Sequence, residues 1–127
     1  MDKSVISTKK APAAIGPYSQ AVRLGNLIFT SGQIPADPVS GEIVPGGVGP
    51  QVQQTLKNLE EVLIAAGASL NSVLKTTLFI KNMEDFAIIN EIYANFFGDQ
   101  HPARSCLEVA RLPKDVLVEV EAVAYIP

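Results

Sequence analysis

The spacing of apolar residues changes several times along the chain, and each change marks an element. Positions 103–110 alternate, with Arg104, Cys106, Glu108 and Ala110 on one side and Ser105, Leu107 and Val109 on the other, which predicts a strand. Pro113, within 112–115, breaks that run and turns it. Over 116–125 the alternation resumes, with Val116, Val118, Val120, Ala122 and Ala124 on one face and Leu117, Glu119, Glu121, Val123 and Tyr125 on the other. The two runs are expected to face each other, which puts one guanidinium and two carboxylates on adjacent, largely apolar strands.

Upstream, Val5 and Ile6 suggest a short strand, and the two prolines and one glycine of segment 11–19 rule out regular structure there. Apolar runs at 21–24 and 27–31, joined by Gly25-Asn26, predict a β-hairpin. Segment 34–50 holds four of the nine prolines and four of the nine glycines, the composition of a long surface loop. From Gln51 the period becomes helical: Val52, Leu56, Leu59, Leu63 and Ala66 recur at steps of four and three, and Gly67 caps the end. Residues 73–80 are β-branched and apolar enough for a strand. Asn82 then suits a helix cap, with Asp85 in the capping-box position and Phe86, Ile89, Tyr93 and Phe96 as a core stripe running to Gly98. Strands, helix, strand, helix and two strands make an α+β domain, a mostly antiparallel six-stranded sheet with two helices on one face. The other sheet face must be polar or covered by a neighbouring subunit.

Composition narrows the classes. At 127 residues, 13.5 kDa and 47% apolar content, residues 1–127 form one domain that can bury a core without disulfides or metal. A charged fraction of 18% and a positive mean hydropathy point to apolar surface covered by copies of the same chain. The net charge of -3 and pI near 5.0 give a phosphate backbone no electrostatic attraction, so a nucleic-acid partner is not expected. Gly46, Gly47 and Gly49 do not form a phosphate loop, since no GKS/T follows and no strand leads in. With Cys106 and His101 the only residues of their types, no disulfide or zinc set is expected, and a reducing compartment is the natural reading. No apolar run is long enough for a signal peptide or membrane span, which predicts a cytoplasmic protein.

The candidate chemistry lies in the last quarter of the chain. Glu119 and Glu121 either mark the wet side of the sheet or, flanked by Leu117, Val123 and Tyr125, sit half buried with a raised pKa suited to proton transfer. Cys106 invites a thiol-nucleophile reading. His101, however, has the opposite strand parity, so the two point apart and a packed or cleft-lining thiol fits better.

The segments APAAIGPYSQA at 11–21, TSGQIP at 30–35, KTTLFIKNMEDFAIINEIY at 75–93 and PARSCLEVARLPKDVLVEVEAVA at 102–124 carry a resemblance. They are similar to the corresponding motifs of the RidA (YjgF) family of reactive enamine/imine deaminases, in the same order and over nearly the whole length. The resemblance implies a chorismate-mutase-like α+β fold, a homotrimer and active-site clefts between subunits. It also implies hydrolysis of 2-aminoacrylate and related imines to 2-keto acids and ammonia, with no cofactor and no metal. By the same resemblance Arg104 corresponds to the arginine that holds the substrate carboxylate, and Glu119 to the active-site glutamate. Tyr18, Ser31, Gly32, Asn90 and Cys106 correspond to substrate-binding positions. Arginine's planar fork can grip an imino acid's carboxylate through two parallel hydrogen bonds, which lysine cannot do. A non-catalytic ligand-binding trimer and a single-strand endoribonuclease remain the alternative readings.

Overall fold

The structure, a computed structural model, describes residues 2–127. Strands β1 (Ser4–Ile6), β2 (Ala21–Leu24), β3 (Leu27–Thr30), β4 (Val73–Ile80), β5 (Ala103–Glu108) and β6 (Val118–Tyr125) form one six-stranded sheet in the order β1-β2-β3-β6-β4-β5. Helices α1 (Val48–Ala65) and α2 (Phe86–Phe97) pack on one face of it. Four strand pairings are antiparallel and β4 runs parallel to β5, so the sheet is mixed.

The parity of β6 decides the layers. Val118, Val120, Ala122 and Ala124 are at most 4% exposed, under the helices with Leu56, Leu59, Leu63 and Ile89. Each such branched side chain contributes about 1.5–3 kcal/mol when it leaves water. The opposite face carries Leu24, Leu27, Phe29, Leu107 and Tyr125, all large apolar residues that remain exposed in the single chain.

Two expectations are corrected. The runs that carry Arg104 and Glu119 are not neighbours: β4 lies between β5 and β6. The reason is the β4-α2-β5 unit, because a strand–helix–strand connection returns the chain parallel to the strand it left and takes that edge of β4. Helix α1 also begins at Val48, inside the segment expected to be loop. Pro50 falls in its first turn, where a missing N–H costs nothing.

The remaining boundaries follow local chemistry. Gly25, at φ 60°, makes the two-residue turn between the paired Leu24 and Leu27. Asn82 does cap, but it caps a 3-10 turn over Met83–Asp85 by accepting from the Glu84 N–H at 2.9 Å, and α2 follows directly. Among the described residues, no helix is long and apolar enough to cross a membrane.

Candidate active site

The Glu119 side of the molecule is built by a bulge. Strand β3 pairs with β6 as far as Phe29 opposite Val123, and the pairing resumes at Gln33 opposite Val120. Thr30, Ser31 and Gly32 therefore stand opposite only Glu121 and Ala122, so the chain must bow outward there. Thr30 compensates with its side chain, its Oγ1 accepting from the Ala122 N–H at 2.9 Å. Gln33 closes the bulge by exchanging two hydrogen bonds with Val120, at 2.8 and 3.1 Å.

This bow lays backbone against a carboxylate. A Cβ added at Gly32 would lie 2.6 Å from Glu119 Oε1, so only glycine leaves the carboxylate where it is. Glu119 is half buried and Glu121 is exposed. Burial pushes the Glu119 carboxyl above the usual carboxylate range, and the neighbouring Glu121 charge pushes the same way. Both line a hollow of about 650 Å³ together with Tyr18, Ser31, Gly32 and Lys114. Ser31 spends its hydroxyl on structure, donating to the Ser19 carbonyl at 2.6 Å, which ties the Tyr18 loop to the bulge.

The Arg104 side is built by α2. Arg104 Nη1 donates to Asn90 Oδ1 at 2.8 Å, and its guanidinium carbon lies 5.4 Å and 4.9 Å from the Phe86 and Tyr93 ring centroids. Stacking on two rings fixes the guanidinium plane and leaves its other N–H groups for a ligand. Tyr93 is itself anchored by a 2.7 Å hydrogen bond with Thr76. Among the described residues no carboxylate lies within ion-pair distance of Arg104, and a hollow of about 360 Å³ opens beside it, lined also by His101. Cys106 packs against the core, and burial pushes its thiol up despite the nearby Arg104, so it is a poor nucleophile at neutral pH. His101 is exposed, and Cys106 is not among the residues that line its hollow.

The sequence-predicted residues thus fall into two groups. Tyr18, Ser31 and Gly32 gather around Glu119; Asn90 and Cys106 accompany Arg104. The groups occupy opposite faces of the sheet. Arg104 is in register with Thr76 and Ala122, which lie under the helices, whereas Glu119 is in register with Phe79 and Leu107 on the open face. One chain cannot bring both to one small molecule. Among the described residues, no group of three or more His, Cys, Asp or Glu side chains is arranged to hold a metal ion.

Sequence reasoning missed two supporting residues. Gln20, 4% exposed, ties down segment 8–12 through the backbone of Thr8, Ala11 and Pro12. Asn58, 1% exposed, holds the carbonyls of Ile34 and Ala36 from α1. The available signal for Asn58 was the polar set Gln51, Thr55 and Asn58, recurring at helical spacing on a buried helix.

Comparison with known proteins agrees with this architecture. The Endoribonuclease L-PSP family model matches residues 8–126. A RutC family protein of Pyrococcus horikoshii is 56% identical over 97% of this chain and 98% of its own. The 2-iminobutanoate/2-iminopropanoate deaminase of Escherichia coli is 53% identical over 94% of each chain. Escherichia coli TdcF, solved with bound serine, superposes with a TM-score of 0.92 at 50% identity, over 96% of this chain and 98% of that one. A family match across nearly the whole length, together with a shared fold at half-identical sequence, means that this chain belongs to the RidA (YjgF) family.

Proposed function

We propose that this protein is a 2-iminobutanoate/2-iminopropanoate-type deaminase that hydrolyses 2-aminoacrylate-derived imines in clefts between the subunits of a homotrimer. The observation that carries the proposal is the separation of Arg104 and Glu119 on opposite sheet faces, each beside an open hollow. Joining them around one substrate takes two copies of the chain. The exposed apolar face of Leu24, Leu27, Phe29, Leu107 and Tyr125 supplies a reason for copies to associate. Two relatives support the substrate class, one named as the deaminase and one solved with serine, an α-amino acid carrying the same carboxylate.

In this reading Arg104 of one subunit takes the substrate carboxylate through paired hydrogen bonds. Glu119 of the next removes a proton from water as the water oxygen adds to the imine carbon, and returns it to nitrogen. The same carboxylate then takes the proton of the adduct's hydroxyl and passes it to the amino group, so that the C=O bond forms as the C–N bond breaks, and 2-keto acid and ammonia leave. An imine carbon is already electrophilic, so the sum, imine plus water giving ketone plus ammonia, requires no cofactor.

Mixing folded Arg104→Ala and Glu119→Gln chains tests the shared cleft. Each variant alone is expected to be inactive. After subunit exchange at equal amounts, about one cleft in four combines an intact Arg104 with an intact Glu119, and activity returns to that extent. No recovery in demonstrably mixed oligomers would refute the shared site. Light scattering is expected to return about three times the chain mass, with little response to salt because the joining face is apolar; a stable monomer at micromolar concentration would contradict the assembly.

Gly32→Ala is expected to lower turnover about 100-fold, because the new methyl must displace the Glu119 carboxylate. Its thermal midpoint should hold, since Gly32 has a backbone conformation open to alanine and the clash is with a flexible side chain. Wild-type turnover in this variant would mean that the carboxylate's placement is immaterial. The acidic pI of about 5.0 counts against an RNA substrate.

A further inference from the structure

Helix α1 buries polar side chains where an apolar stripe would be cheaper. Gln51, Thr55 and Asn58 are 8%, 0% and 1% exposed. An asparagine buried mid-helix costs both helix propensity and desolvation unless its amide is satisfied. Asn58 is fully engaged: its Nδ2 donates to the Ile34 and Ala36 carbonyls at 3.0 and 2.9 Å, and its Oδ1 accepts from Gln54 Nε2 at 2.8 Å. Ile34 and Ala36 are the continuation of the Gly32-Gln33 bulge and line the Glu119 hollow. The bulge is pinned at Val120 on one side, and beyond it the chain is pinned by Asn58 from behind.

We propose that Asn58 is a positioning residue of the site: by anchoring the carbonyls of Ile34 and Ala36, it holds the 33–36 wall in place beside the Glu119 carboxylate and keeps water from that side of the group. The inference rests on the reading of Glu119 as the proton-transferring residue. Burial is the leading reason that the Glu119 carboxyl is raised, so loosening the wall returns it toward an ordinary carboxylate. The other charged or titratable groups near this face are Glu121 and Tyr125 on β6, Lys75 on β4, and Tyr18 and Lys114 on the loops. None of them is bonded to Asn58, so its replacement leaves them in place.

The test is the pH profile of kcat/KM for freshly generated imine. Glu119 acts as its carboxylate when it takes a proton from water, so activity falls as pH drops through its raised pKa. In Asn58→Ala this acidic limb is expected to move down by about half a unit to one unit. Neutral-pH kcat should drop about tenfold while KM, governed by Arg104 on the partner face, stays within about twofold. Leu63→Ala, a fully buried truncation on the same helix, should lower the thermal midpoint without moving the limb, which separates positioning from general loss of stability. Gln54→Ala, at a half-buried position, removes the donor that orients the Asn58 amide and should shift the limb in the same direction even if Asn58→Ala does not assemble. An acidic limb unmoved in the folded Asn58 or Gln54 variant overturns the proposal, provided that Glu119→Gln abolishes the limb. If Glu119→Gln retains it, the assignment of Glu119 falls, and this inference falls with it.

Discussion

Truncating Arg104 to alanine is expected to abolish deamination while the fold and assembly survive. A carboxylate held by a desolvated, bidentate guanidinium is worth on the order of 2 to 5 kcal/mol when one partner is removed, or ~30- to ~5,000-fold in rate. The geometry favours the upper part of that range. Two aromatic rings and Asn90 already fix the guanidinium, so little ordering is left to be done when substrate arrives. Arg104→Lys should rescue only weakly, because a point charge has no fork and cannot lie flat on Phe86 and Tyr93. The cost in stability should stay near the ~0.5–1 kcal/mol typical of cation–π contacts at partly exposed sites, since the residue is half exposed on the edge strand β5. Keto-acid formation from fresh imine, read beside oligomer mass and thermal midpoint, checks both statements. Full activity in a folded Arg104→Ala oligomer would place carboxylate recognition elsewhere.

Glu119→Gln is expected to cut turnover about 10²- to 10⁴-fold, the range lost when a positioned acid–base group is removed, while substrate analogues still bind. The amide keeps the shape that fits against Gly32 and loses the proton-transferring group. In the wild-type protein the acidic limb of kcat/KM should lie above the usual carboxylate range, because burial and then Glu121 both raise the Glu119 carboxyl. Activity is lost as pH falls through that raised value, and the limb should vanish in the variant. Glu121→Gln should do far less: its carboxylate is exposed, and its influence on Glu119 comes second to burial. Equal losses in the two variants would show that neither carboxylate has the special role.

Gly32 links the two levels at which this site is encoded. The resemblance of TSGQ marked Gly32 as a binding position, but the reason for a glycine there was not legible. The methyl it lacks would collide with a carboxylate 87 positions away in the chain, on a strand that the bulge brings alongside. Ser31 gives the converse case. Its hydroxyl, a plausible substrate donor on sequence grounds, is engaged with the Ser19 carbonyl, and so it shapes the Tyr18 loop.

Features that depend on local periodicity were legible in the residues alone. The alternation of β6 specified which of its side chains enter the core, the apolar steps of α1 specified its buried face, and Gly25-Asn26 specified the hairpin; on α2, Ile89 and Tyr93 are buried as expected, but Phe97 and not Phe96 completes the buried set. These follow from backbone geometry, which repeats every 2 or 3.6 residues whatever the rest of the chain does. Which strands are neighbours, and which face of the sheet each candidate residue occupies, depends instead on contacts between distant segments. Parity assigns a residue to a side of its own strand, but it cannot say how the sides of two strands correspond until the order of the sheet is known. The parallel return through α2 takes the edge of β4 for β5 and leaves β6 on the other side, so Arg104 and Glu119, close in sequence, end on opposite faces. That outcome depends on long-range packing, which buries Val118, Val120 and Ala122 together with Thr76 under the helices.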